Sequence, residues 1–130
     1  MENSGKSALG LDANVAAGLA YLPICGCNLI MSIIIIVTDK TNKLARFHAF
    51  QSLLLLGAAL IIEIPAYFIM VILLVMNSTI TSLLGGLFGL VLAVVGLAIF
   101  VFMIIALIKA FQGQIYKIPF IGNMADNWSN

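Results

Sequence analysis

Apolar residues fall in three long blocks separated by short polar stretches, at about residues 14–37, 49–76 and 83–110. Each block is longer than the roughly 20 residues that a helix needs to cross about 30 Å of hydrocarbon. In lipid a backbone must satisfy its own hydrogen bonds, so helix is expected in all three. That holds even for the β-branched run Ile33-Ile34-Ile35-Ile36-Val37, which in water would favour a strand. The pattern predicts an all-α membrane protein with three transmembrane helices in a single domain over 1–130. An interfacial cytoplasmic linker and a C-terminal tail complete it. The first block is too long for a signal-peptide core and lacks a well-placed small-x-small cleavage site, so it is expected to be retained.

The polar stretches differ in charge. Thr38–His48 holds Asp39, Lys40, Lys43 and Arg46, whereas Asn77–Ser82 is short and uncharged. With three spans, one side carries Lys40, Lys43, Arg46, Lys109 and Lys117 against Lys6 alone on the other. Basic residues accumulate on the cytoplasmic side, which predicts an outside N-terminus and a cytoplasmic C-terminus. Residues Asn42–Ser52 read as a helix start, with Asn42 as N-cap and Leu44, Phe47 and Phe50 as an apolar face riding the cytoplasmic interface. Arg46 and His48 are placed there to meet anionic headgroups. In the tail, Gly113 can end the third helix, Pro119 disfavours helix at Ile118, and Tyr116, Phe120 and Trp128 suit a headgroup layer.

Composition narrows the functions. Of the 130 residues, 63% are hydrophobic and 8% charged, whereas a soluble domain carries roughly 25% charged residues. The net charge is +1 with no long basic run, so the expected partners are the lipid bilayer and other membrane subunits or copies of the chain, not nucleic acid. Cys25 and Cys27 sit one residue apart in an apolar stretch and point to different faces of a helix, a poor soft-metal site that small core residues explain more simply. No nucleophile–base set, phosphate loop or metalloprotease motif is present, so no enzyme is expected and the cofactor stays unknown.

Glu63 is the most informative residue. It lies near the middle of the second block, where an ionised group costs roughly 2.5–3.5 kcal/mol. Counting up from the linker, Tyr21, Cys25 and, somewhat shallower, Asn28 are its candidate partners on the first span. Pro65, two residues on, removes the donor that would meet the Ile61 carbonyl and predicts a kink. The carboxyl is read either as a neutral group bonding two helices or as a proton- or cation-responsive site. On the third span Gly85, Gly89 and Ala93 lie four apart with Gly96 beyond, a smooth face for close helix packing. His48 or Asn28 could contact a pigment or haem, although a lone His is a poor ligand set.

Three segments, Gly10–Ala16, Asn42–Ser52 and Ile108–Pro119, together resemble the UPF0132 family of small membrane proteins, a domain of unknown function grouped loosely with Tic20-like proteins. The resemblance runs from Gly10 to about Ala125. It implies three spans and bacterial or archaeal membrane residence, and it brings no catalytic residue or cofactor. The Tic20 link is distant, because those proteins have four spans. Three roles are therefore weighed. The first is a structural or accessory subunit of a larger membrane complex; the second is an oligomeric transport or translocation component using Glu63; the third is a pigment- or haem-contacting subunit.

Overall fold

The computed structural model describes residues 5–24, 26–76 and 78–130. Residues 1–4, Cys25 and Asn77 lie outside that description, and with them half of the cysteine pair and one end of the 77–82 linker. Five helices are described: α1 (Ala13–Leu19), α2 (Cys27–Thr38), α3 (Lys43–Val75), α4 (Thr79–Phe111) and α5 (Ile121–Ser129). Among the described residues, α3 and α4, with 33 residues each, are the helices long and apolar enough to cross a membrane.

The helix expected over residues 14–37 is not continuous. It is replaced by the 7 residues of α1 and the 12 of α2, roughly 10 Å and 18 Å long, and neither alone crosses hydrocarbon. The break has a local cause. The Tyr21 N–H turns back to the Gly18 carbonyl at 3.0 Å, Pro23 has no N–H with which to continue a helix, and Gly26 takes a left-handed φ of 72° before α2 begins. The chain then doubles back, because Ser32 donates to the Ala20 carbonyl at 3.4 Å and Ile35 packs on Ala16 and Ala20. The two helices therefore form a hairpin.

The chain falls into two compact units, residues 1–55 with 102–130, and residues 56–101. The first unit holds α1, α2, α5, the start of α3 and the end of α4. Its core is rich in alanine: Ala16, Ala17, Ala20, Ala45, Ala49, Ala106, Ala110 and Ala125 are all fully buried. Small side chains let backbones approach closely, and Gly18 shows how closely, because a Cβ there would lie 2.5 Å from the Phe111 ring. Asn42 caps α3 by accepting from the Ala45 N–H at 3.2 Å. Leu44 and Phe47 are buried and Phe50 is half-buried, so the apolar face of the 42–52 stretch packs largely against the protein itself.

Two long-range bonds tie this unit together. The Ala8 N–H donates to the Asp39 carboxylate at 3.1 Å, and the Asn14 side-chain amide donates to the Phe111 carbonyl at 3.0 Å. The start of α1, the 38–42 linker and the end of α4 are thus gathered together. Lys6, ahead of α1, belongs to the same unit as the other basic residues.

In the second unit α3 runs on through Pro65 to Val75, and α4 returns antiparallel. A Cβ added at Gly85 would meet Leu74, one at Gly89 would meet Met70, and one at Gly96 would meet Glu63. The glycines of α4 therefore face α3. Most large side chains point away from this seam, and Ile61, Val75, Ile80 and Leu83 are each 70% exposed or more. Such a surface is suited to hydrocarbon and not to water.

Candidate functional site

Two polar constellations stand out, one in each unit. In the first, Tyr21, His48 and Gln51 are fully buried together. His48 Nε2 lies 3.0 Å from the Gln114 carbonyl, which can only accept, so Nε2 carries the proton and Nδ1 is left as an acceptor. Nδ1 then takes the Tyr21 O–H at 3.2 Å, and the Tyr21 oxygen in turn accepts from the Gln51 amide at 2.9 Å. Gln51 also donates to the Tyr116 carbonyl at 2.9 Å and accepts from the Ile118 N–H at 3.1 Å. One side chain thus holds two backbone groups of the 113–119 tail. Phe47 and Tyr21 pack edge-on against the imidazole.

This geometry corrects the readings of His48. Its side chain is buried, so it meets no headgroup, and both ring nitrogens are engaged, so neither is open to a pigment, haem or metal. Tyr21 is likewise committed to His48 and Gln51. Asn28, in the first turn of α2, is half-buried and joins no described constellation, and Cys25 lies outside the described residues.

The basic residues of the first unit are partly occupied. Arg46 donates to the Ile36, Asp39 and Ser129 carbonyls and lies over the Phe50 ring. Lys43 and Lys117 both pair with Asp126, at 3.2 and 2.8 Å, and hold its carboxyl below the usual range, Lys117 first. Lys109 donates to Gln114 Oε1 at 2.9 Å. Lys40 is exposed. Asp39 is buried and accepts from the N–H groups of Ala8, Thr41 and Asn42. The only local sign of that convergence is an Asp placed just ahead of a helix start.

In the second unit, Glu63 lines a groove of about 700 Å³ together with Tyr67, Phe68, Met70, Gly89, Ala93 and Gly96. Its Oε1 is buried and has no hydrogen-bond partner among the described residues. It rests 3.5 Å from where a Cβ of Gly96 would be. Glu63 and the glycine face, read as separate features of the sequence, thus belong to one place. Among the described residues no group of three or more His, Cys, Asp or Glu is arranged to hold a metal ion.

A model of the magnetosome magnetite crystal formation protein family matches residues 10–125. A UPF0132 membrane protein of Methanocaldococcus jannaschii is 33% identical over 96% of this chain and 96% of its own length. A second from the same organism is 28% identical over 93% of this chain and 73% of its own length. One from Archaeoglobus fulgidus is 27% identical over 87% of this chain and 91% of its own length. No solved structure matches. With nearly the whole chain covered by the family model and by these relatives, the protein belongs to this family, that of the UPF0132 membrane proteins.

Proposed function

We propose that the protein is a non-enzymatic accessory or structural subunit whose second unit is a two-span membrane hairpin and whose α1–α2 hairpin is re-entrant. The observation that carries this reading is the division of polar chemistry. In the first unit the buried donors and acceptors of Tyr21, His48 and Gln51 are spent on holding the chain together. In the second unit a groove with an unpartnered carboxyl oxygen is left for something else to cover. Leu56–Val75 is about 20 residues long and spans roughly 30 Å, and the 79–101 stretch of α4 is slightly longer.

All 6 basic residues of the chain fall in the first unit, and the 78–82 end of the turn is uncharged. With two crossings in place of the three expected from hydropathy, the positive-inside bias puts the N-terminus, the 38–42 linker and the C-terminus together on the cytoplasmic side. The family's name for magnetite crystal formation raises a mineral-facing role. Free carboxylates would serve it; Asp39 and Asp126 are tied to partners within the fold, and among the described residues Asp12 is the one exposed acidic side chain, too sparse a set to favour that role over the accessory reading.

The test is to extract the protein from its native membrane in mild detergent and weigh the intact particle by mass spectrometry. Distinct subunits at fixed stoichiometry are expected. Particles holding this chain alone would overturn the accessory role. The transport reading draws support from the buried Glu63 Oε1, and it requires that Glu63→Gln change ion flux through reconstituted vesicles.

A further inference from the structure

The last helix, α5, is built the wrong way round for water. Its inward positions are small: Gly122, Ala125 and Ser129 are buried, and a Cβ at Gly122 would lie 2.6 Å from the Lys117 Cα. Its outward positions are large and apolar. Phe120 at the helix start, Met124 and Trp128 recur every fourth residue, which places them on one side, and they are 92%, 46% and 50% exposed. A helix facing water turns its large apolar side chains inward instead. Polar contacts fix this orientation, because Asp126 pairs with Lys43 and Lys117 and the Ser129 carbonyl accepts from Arg46. Turning α5 over to hide the stripe would break all three.

The backbone at Phe120 is a second observation. It has φ 67° and ψ −50°, and the Ile121 N–H donates to the Pro119 carbonyl at 2.8 Å. That is a γ-turn of the rare, strained hand, where glycine is at ease and a phenylalanine is not. Among the described residues Phe120 is the one non-glycine with a positive φ, and its ring is the most exposed of the large apolar side chains. Strain retained for a ring with so little contact inside the fold points to a partner outside it.

We propose that the Phe120, Met124 and Trp128 face of α5 inserts into the headgroup layer of the bilayer, so that α5 lies in the membrane plane and anchors the tail there. Lipid is the one partner this chain already meets, since its relatives are membrane proteins. The apolar helix α4 ends at Phe111, ten residues before α5 begins, so the tail is tethered to the bilayer and its contact carries little association cost of its own. Phenylalanine, methionine and tryptophan beside the exposed amides of Asn123 and Asn127 suit a layer that is apolar on one side and wet on the other. The exposed Lys117, just ahead of the stripe, adds a charge that favours anionic headgroups. The inference rests on membrane residence and is independent of the accessory role.

Trp128 is the chain's one tryptophan, so its fluorescence reports on this face directly. The test uses the full chain, reconstituted alone in liposomes of phosphatidylcholine with a minority of phosphatidylglycerol. Emission is read with lipids brominated near the top of the acyl chain and, separately, with acrylamide in the water. Brominated lipid is expected to quench Trp128 strongly and acrylamide weakly. Phe120→Gly relieves the strained turn while removing the ring, and it should shift α5 toward water by about tenfold, read as brominated-lipid quenching lost and acrylamide quenching gained. Met124→Ser should act in the same direction. Free quenching by acrylamide in the unaltered chain would overturn the proposal, and so would quenching by neither agent, which would mean that protein covers the face. Brominated-lipid quenching unchanged in both variants would also overturn it. Circular dichroism guards against loss of fold, and Phe120→Gly carries the decision if Met124→Ser misfolds. The accessory role fails separately, when the native particle holds no other subunit.

Discussion

Removing the imidazole of His48 should release the C-terminal tail. His48 is buried, with Nδ1 accepting from Tyr21 and Nε2 donating to Gln114. His48→Phe keeps a ring of similar size, but it strands the Gln114 carbonyl and takes the acceptor from the Tyr21 O–H. Each stranded buried group costs about 1–3 kcal/mol. The lower bound for the two together, about 2 kcal/mol, raises the opening constant of the tail roughly thirtyfold. Hydrogen exchange with mass spectrometry reads this at the Ile118 amide, which is bonded to Gln51 beside the imidazole. Protection at residues 113–119 should fall about thirtyfold, while amides of Leu56–Val75 hold. Equal protection of the tail in the variant and in the unaltered chain would refute the reasoning.

Two substitutions probe the same unit. Gln51→Ala strands the Ile118 N–H and frees the Tyr116 carbonyl, and each stranded buried group costs about 1–3 kcal/mol. A thermal melt in detergent should drop by several degrees, whereas a tail held by other contacts would leave it unchanged. Gly18→Ala drives a methyl to 2.5 Å from the Phe111 ring, and overpacking of this kind costs about 1–3 kcal/mol. Pairing it with Phe111→Ala should recover part of the loss; a melt unaffected by Gly18→Ala would show that the ring gives way freely.

The long apolar helices were legible because nothing interrupts their backbone pattern except Pro65, which a helix in lipid tolerates. The first block was misread because averaged hydropathy over 14–37 conceals two breakers. Pro23 and Gly26 sit three residues apart, and the alanines before them pack against protein and not lipid. Once the block folds back, Lys6 joins the other basic residues in one unit, and the charge asymmetry no longer sets the N-terminus apart from them. Glu63 was visible as an ionisable group in an apolar run, and the glycine spacing as a packing face. Their common location depended on the antiparallel register of α3 and α4, which no local signal encodes. The Tyr21–His48–Gln51 network was hidden for a similar reason. Its partners in the tail lie more than sixty residues away, and the only trace in the sequence is a cluster of polar side chains, His48, Gln51 and Ser52, at the edge of an apolar block.

The claim on which the rest depends is that α1 and α2 turn back within one leaflet instead of crossing. With Cys25 and Cys27 replaced by alanine, single cysteines Leu9→Cys, Gln112→Cys and Ser78→Cys can be labelled by a membrane-impermeant maleimide in oriented vesicles. The account predicts that Leu9→Cys and Gln112→Cys react from the same face and Ser78→Cys from the opposite one. Labelling of Leu9→Cys and Gln112→Cys from opposite faces would contradict it and restore three crossings.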